Sequence, residues 1–133
     1  MASNRLKIIL GKLGLDAHDN GLRIITKWLR DAGHEVVYLG LYNNPKGMVR
    51  AALEEHAQVI GLSFLGGGHM AHVRQLIDHM REEKMEDLKV LVGGVIPPDE
   101  VEKLKNMGVA AVFTPGTARE DILNTINSLA EGF

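Results

Sequence analysis

The sequence predicts an α/β protein whose parallel sheet is covered by helices on both faces. Two observations lead to this class. Five short runs are nearly continuous in Val, Ile and Leu, and amphipathic stretches separate each run from the next. Consecutive apolar residues are typical of parallel strands that are buried on both faces. Alternation of such strands with helices implies right-handed crossovers within one twisted sheet.

Five strands are predicted from the apolar runs: Leu6–Leu10, Glu35–Leu39, Val59–Ser63, Lys89–Val92 and Ala111–Phe113. Five strands that alternate with helices favour the flavodoxin-like (Rossmann-like) doubly wound sheet, with strand order 2-1-3-4-5. Ligands of such sheets bind beyond the carboxyl ends of the strands, where the first and third strands diverge. The loops after the first, third and fourth strands are therefore expected to carry the function.

The helices are predicted from apolar spacing and from their end signals. They cover about Asn20–Ala32, a segment after Pro45, about Met70–Glu83, a segment from Asp99 to Gly108, and Thr117 or Ala118 to about Ala130. Asp99 follows two prolines and is expected to cap the fourth helix. Thr117 with Glu120 has the S/T-x-x-E form of a capping box for the fifth.

Composition bounds the class of protein. The chain has 133 residues, of which 45% are hydrophobic and 24% are charged, and it has no cysteine. One domain over residues 1–133 is expected at this length. The lack of cysteine excludes disulfides, thiolate nucleophiles and iron–sulfur clusters. Without a long apolar run or a signal-peptide layout, a cytoplasmic protein is expected. A formal charge of −2 gives no excess of positive charge of the kind that binds nucleic acid.

The loop after the first strand is polar and longer than the usual two to six or so residues. A histidine that ligates a metal usually donates its other ring N–H to a carboxylate. Asp16 is spaced to accept from His18, and Lys12 could keep Asp16 ionised. The alternative is that Asp19 or Asn20 caps the next helix while His18 is solvated. Spacing alone leaves both interpretations open.

Glycines and hydroxyls follow the other strands. Ser63 ends the third strand and precedes three glycines at 66–68, and Gly93 with Gly94 follows the fourth. Glycines at these places let a ligand approach the backbone closely. The sequence lacks a G-x-x-x-x-G-K-[ST] phosphate loop, and the glycines after the first strand do not form the dinucleotide fingerprint.

The segment from Asp16 to Gly21 has the form D-x-H-x-x-G. With Ser63-x-Leu65 and Gly93-Gly94 further on, it closely resembles the cobalamin-binding domain of adenosylcobalamin-dependent mutases. The resemblance covers nearly the whole chain. It implies that His18 coordinates cobalt from below in place of the cofactor's dimethylbenzimidazole, the base-off/His-on form. It also implies that Asp16 hydrogen-bonds His18, with Lys12 supporting Asp16.

The same resemblance implies further contacts to the cofactor. Ser63 would hydrogen-bond the displaced dimethylbenzimidazole. The other implied cofactor-binding positions are Gly21, Leu65, Gly66, Gly67, Gly93, Gly94, Gly116 and Thr117.

Within these mutases the likeness is to the acyl-CoA mutases of the methylmalonyl-CoA mutase type. It rests on GGGHM at 66–70, VGGVIP at 92–97 and TPGT at 114–117. In such enzymes a (β/α)8 barrel holds the substrate, and a barrel needs about 250 residues. The chain is therefore expected to be a small subunit that acts with a separate, barrel-bearing large subunit in a hetero-oligomer.

Other functions stay open at this point. The small subunit of 2-hydroxyisobutyryl-CoA mutase or of a related acyl-CoA mutase would have the same residues, as would a non-catalytic cobalamin carrier or sensor. A phosphoreceiver domain needs acids at the ends of the first and third strands, where Gly11 and Ser63 stand. A flavin protein is disfavoured by the lack of a phosphate-binding loop.

Overall fold

The computed structural model describes residues 5–12, 20–41, 43–64, 69–85, 87–114 and 116–131. The strands are β1 (Lys7–Lys12), β2 (Glu35–Tyr38), β3 (Val59–Phe64), β4 (Lys89–Gly94) and β5 (Ala111–Phe113). The helices are α1 (Asn20–Asp31), α2 (Pro45–Glu55), α3 (His69–Glu82), α4 (Pro98–Met107) and α5 (Arg119–Glu131). Strands and helices alternate along the chain, as predicted.

The sheet has five parallel strands in the order β2-β1-β3-β4-β5, which confirms the predicted flavodoxin-like topology. Its register aligns one row of residues across four strands. Lys12 pairs with Ser63, Ser63 with Gly93, and Gly93 with Phe113. Residues that are far apart in sequence therefore lie side by side near the carboxyl edge of the sheet.

Each face of the sheet has its own apolar core. Ile8 and Leu10 pack in a cluster with residues of α1 and α5. Ile9, between them in β1, points to the other face and joins a cluster with residues of α2, α3 and α4. This alternation is the period of two that a strand imposes on its side chains. It places α1 and α5 on one side of the sheet and the other three helices on the opposite side.

Three strands extend further than predicted. β1 continues to Lys12, β3 to Phe64 and β4 to Gly94. The added residues include a charged side chain and several glycines, which break the apolar pattern, whereas ladder hydrogen bonds do not depend on the side chain. Lys12 shows this, because it is charged and still pairs in register with Ser63 of β3.

Two helix starts differ from the predictions. α4 begins at Pro98 after Pro97, without a side-chain cap, so the expectation that Asp99 caps the helix is wrong. Proline fits the first helical position, where no N–H is needed, and Asp99 falls in the first turn. The capping box is also wrong, because α5 begins at Arg119 and Thr117 lies one residue too early, with its hydroxyl donating to the Thr114 carbonyl at 2.6 Å.

One cap was not predicted. The side chain of Asn44 accepts a hydrogen bond from the Gly47 N–H at 2.7 Å, immediately before Pro45 opens α2. Asparagine is among the best residues at this position. The proline alone had marked the start of this helix in the sequence.

His34 lies between α1 and β2 and hydrogen-bonds residues of two other parts of the chain. It is 5% exposed, and its Nδ1 accepts from the Leu6 N–H at 3.1 Å. Since Nδ1 is an acceptor, Nε2 carries the proton and donates to Asn127 Oδ1 at 3.1 Å. The ring thus links the start of β1 to α5 and has a structural role.

None of the helices in the described part of the chain is both long and apolar enough to cross a bilayer.

Candidate functional site

A cavity of about 640 Å³ lies between the sheet and the helices α1 and α5. Its lining includes Val95, Thr114 and Gly116, which follow β4 and β5, so the cavity reaches the carboxyl edge of the sheet. Deeper parts of the wall are apolar and include Ile8, Leu10, Leu22, Ile25, Leu29, Leu91, Ile122 and Ile126. The position is the one that the doubly wound topology predicts for a ligand.

Glycines in the sheet leave room for this cavity. Gly61 lies in the middle of β3, between Leu10 of β1 and Leu91 of β4 in register. A Cβ on Gly61 would collide with Leu10 Cδ2, so any larger residue would push the leucine side chain aside. The sequence interpretation did not single out Gly61. A glycine inside a strand often marks a close approach, and that signal was present.

Gly93 and Gly94 act in different ways. A Cβ on Gly93 would make ordinary contacts, the nearest at 3.6 Å from the Phe113 carbonyl oxygen, so there is room for a side chain at the cavity wall. Gly94 has a φ of +128°, and a Cβ there would collide with the Phe64 carbonyl oxygen. Only glycine fits at position 94, where the chain turns against the end of β3.

Lys12 brings a buried charge to the cavity. Its side chain is 1% exposed and lines the cavity. The ammonium donates to the carbonyl oxygen of Ser63 at 3.2 Å and to its hydroxyl at 3.3 Å. The Lys12 carbonyl accepts from both the backbone N–H and the side-chain amide of Asn43, each at 3.1 Å. The two hydrogen bonds from the ammonium to Ser63 offset the cost of burying the cation.

The Ser63 hydroxyl oxygen accepts a hydrogen bond from the Lys12 ammonium and retains its own hydrogen. Because Ser63 Oγ accepts from Lys12 Nζ, the hydroxyl hydrogen is available to a second group. Ser63 lines the cavity. The serine can therefore donate to an unprotonated nitrogen or oxygen of a ligand.

The remaining described candidates lie around the opening. Gly21, in the first turn of α1, has open space where a Cβ would stand. Gly116 has a φ of +87°, and its neighbour Thr117 folds its hydroxyl back to the Thr114 carbonyl. Gly21, Gly116 and Thr117 all line the cavity.

Seven of the twelve positions singled out in the sequence thus line one cavity: Lys12, Gly21, Ser63, Gly93, Gly94, Gly116 and Thr117. The other five, Asp16, His18, Leu65, Gly66 and Gly67, lie outside the described residues. Within the described ranges, no group of three or more His, Cys, Asp or Glu side chains is placed to hold a metal ion.

The flavodoxin-like sheet and the deep, mostly apolar cavity at its carboxyl edge define a cofactor-binding α/β domain. The model of the B12 binding domain matches residues 6–123. The chain belongs to this family.

This chain is similar to two small subunits over most of their length and to one part of a much longer mutase. It is 39% identical over 126 residues to the pivalyl-CoA mutase small subunit of Xanthobacter autotrophicus, covering 95% of this chain and 84% of that protein. It is 33% identical to the 2-hydroxyisobutanoyl-CoA mutase small subunit of Aquincola tertiaricarbonis, covering 97% and 95%. It is also 43% identical to ethylmalonyl-CoA mutase of Methylorubrum extorquens, covering 82% of this chain but 16% of that longer protein.

Solved structures share the fold. A cobalamin-binding protein from Desulfitobacterium hafniense superposes with a TM-score of 0.81 at 27% identity, covering 94% of this chain and 59% of that one. The receiver domain of NarL from Mycobacterium tuberculosis superposes with a TM-score of 0.72 at 17% identity, covering 97% and 98%. The second likeness concerns the fold alone. The paired strand ends, Lys12 and Ser63, carry no acid of the kind a phosphoreceiver needs.

Proposed function

We propose that this chain is the cobalamin-binding small subunit of an adenosylcobalamin-dependent acyl-CoA mutase and acts with a separate large subunit. The observation that carries the proposal is the apolar cavity at the carboxyl edge, lined by Lys12 and Ser63, in a chain of the B12 binding domain family. The full-length similarity to two acyl-CoA mutase small subunits supports it. A cytoplasmic location is part of the proposal.

The cavity fits the nucleotide tail of cobalamin in its chemistry. An aromatic base matches apolar walls, and the Ser63 hydroxyl, whose hydrogen is not used in the bond to Lys12, matches an unprotonated ring nitrogen. Gly93 adds no side chain to the wall, and Gly21 adds none to the opening. The described residues therefore suit a cofactor whose base has left the metal.

His18 is the proposed lower ligand of cobalt, and Asp16 is its proposed hydrogen-bond partner. A carboxylate on the far ring nitrogen fixes the tautomer and raises the basicity of a ligating histidine. Lys12 is proposed to support Asp16 from the end of β1. Leu65, Gly66 and Gly67 are proposed to shape the slot beside Ser63, with Gly94, Gly116 and Thr117 around it.

When bound, adenosylcobalamin supplies a radical through homolysis of its cobalt–carbon bond. This chain would hold the cofactor by its lower face and tail and exclude water from the slot. The described residues form one five-stranded sheet and include no barrel for an acyl-CoA. We therefore place the substrate, and the residues that select it, on a large subunit with a (β/α)8 barrel.

Reconstitution tests this function. The chain is mixed with adenosylcobalamin, and the absorption spectrum is recorded to follow displacement of the base. A large chain of an acyl-CoA mutase is then added, with pivalyl-CoA, 2-hydroxyisobutanoyl-CoA and methylmalonyl-CoA assayed in turn. Turnover that requires both chains is expected. Cobalamin binding without any turnover would contradict the mutase assignment.

A cobalamin carrier or sensor is the second candidate. The likeness to the Desulfitobacterium hafniense cobalamin-binding protein favours it. Such a module would use the same cavity, so only the two-chain assay separates the candidates. Which acyl-CoA is rearranged is a property that we assign to the large subunit.

A further inference from the structure

A second cavity, of about 430 Å³, lies between α3 and α4 on the opposite face of the sheet. We name it the α3–α4 groove. It is lined by Met70, Arg74, Ile77, Asp78, Arg81, Lys103, Asn106 and Met107. It shares no residue with the cofactor cavity. The groove is therefore a separate feature of the surface.

The groove is basic, although the chain as a whole carries a net charge of −2. It contains three cations, Arg74, Arg81 and Lys103, against one carboxylate, Asp78. All four side chains are exposed. Among the ion pairs that join described residues, none involves these three cations. The groove thus presents an excess of positive charge to an incoming group.

The order of these charges favours a protein segment over a small anion. Arg74, Asp78 and Arg81 follow one stripe of α3, and the two arginines are about 10 Å apart along the helix axis. Asp78 between them would repel a compact phosphate. An extended segment can place its own carboxylates opposite the arginines and Lys103. Its apolar side chains can contact the half-buried Met70 and Met107, and methionine adapts to irregular partners.

The position of the groove connects it to the cofactor edge. α3 begins at His69, just after β3 ends at that edge, so a chain lying over the cofactor can continue along α3. A subunit that is not covalently joined must obtain its affinity from its interface, and stable interfaces bury about 800 Å² on each partner.

We propose that the α3–α4 groove docks an acidic segment of the large mutase subunit. This inference rests on the proposed function. It assigns the groove to assembly and leaves cofactor binding to the other face of the sheet. Charge reversal in the groove should therefore weaken assembly without changing the cobalamin spectrum.

The test uses the cobalamin-loaded chain and the large subunit with which it shows turnover. The variant Arg74→Glu/Arg81→Glu is compared with Lys46→Glu/Arg50→Glu, which makes the same charge change on exposed positions of α2 outside the groove. We expect the dissociation constant of the complex to rise at least about tenfold for the groove variant and less than about twofold for the control. The wild-type complex should weaken with added salt more steeply than that of the groove variant.

Equal affinity of the groove variant and the wild-type chain would overturn the docking site and leave the mutase function intact. Failure of the loaded wild-type chain to bind any large subunit would overturn both proposals. Two measurements on the free chain test other occupants. Saturable binding of pyrophosphate that Arg74→Glu/Arg81→Glu abolishes would overturn the protein segment in favour of an anion. Self-association lost in that variant would overturn it in favour of a second copy.

Discussion

The ammonium of Lys12 and the hydroxyl of Ser63 lie 3.3 Å apart, at paired positions on β1 and β3. The lysine is 1% exposed, so this contact couples a buried charge to the hydroxyl of Ser63, one residue before the central strand ends. Ser63 Oγ is the acceptor in this contact, so its own hydroxyl hydrogen takes no part in the bond to Lys12. The pair therefore links the stability of the sheet to the binding chemistry of the cavity.

Ser63→Ala should lower the stability of the free chain. The variant removes an acceptor from a buried ammonium, so the free energy of unfolding should fall by about 1–2 kcal/mol. Urea denaturation of the free chain measures this change. Ser128→Ala, at an exposed position of α5, is the matched control and should stay within about 0.5 kcal/mol of the wild type. Two equally stable variants would contradict the role of the contact.

Gly94→Ala should be severely destabilising. A Cβ at this position would collide with the Phe64 carbonyl oxygen, and the φ of +128° disfavours any other residue. We expect a loss of about 3 kcal/mol or more by urea denaturation. Gly108→Ala is the control, because its φ of +116° is similar but open space surrounds it. That variant should lose about 1–2 kcal/mol, and equal losses would show that steric collision is unimportant.

Gly93→Ala should separate binding from stability. A Cβ at this position makes only ordinary contacts inside the protein, so the free energy of unfolding should stay within about 1 kcal/mol of the wild type. The same Cβ takes space at the cavity wall. Cobalamin affinity, measured by absorption titration, should therefore fall at least about tenfold. Unchanged affinity would show that the cofactor does not reach this wall.

Lys7 should make stability depend on pH at the alkaline end. Hydrogen bonds from Lys7 to Glu55 at 2.9 Å and to Glu35 at 3.1 Å raise the pKa of Lys7 above its ordinary value of 10.5. A raised pKa stabilises the fold fully below the unfolded value, and the contribution is lost as pH rises through the folded value. Thermal unfolding above pH 10 should therefore show a smaller decline in Lys7→Gln than in the wild type. Parallel curves would contradict this.

The strand order could be predicted because the apolar runs and their helical separators repeat regularly. Buried parallel strands leave a clear pattern in sequence, and the crossover rule then limits the topology. Helix starts were harder, since Pro98 takes the first position and displaces Asp99 from the cap. A proline and a capping residue can both mark a helix start, and here the proline takes the first helical position because that position needs no N–H.

The site was predicted in part for a related reason. Glycines at the end of a strand, such as Gly93 and Gly94, can be recognised in the sequence because they interrupt an apolar run. Gly61 stands inside an apolar run, and its importance depends on Leu10 beside it in a neighbouring strand. The α3–α4 groove was also missed, because it joins residues of two helices that packing alone brings together. Sequence spacing does not show contacts of this kind.

The central claim is that the imidazole of His18 takes the place of the nucleotide base on cobalt. Electron paramagnetic resonance of the reduced cob(II)alamin complex, prepared with ¹⁵N-histidine protein and unlabelled cofactor, tests it most directly. Ligation by His18 predicts doublet splitting from the axial nitrogen and its loss in His18→Ala. Triplet splitting from an unlabelled nitrogen would show that the base still holds the metal, and would contradict the account.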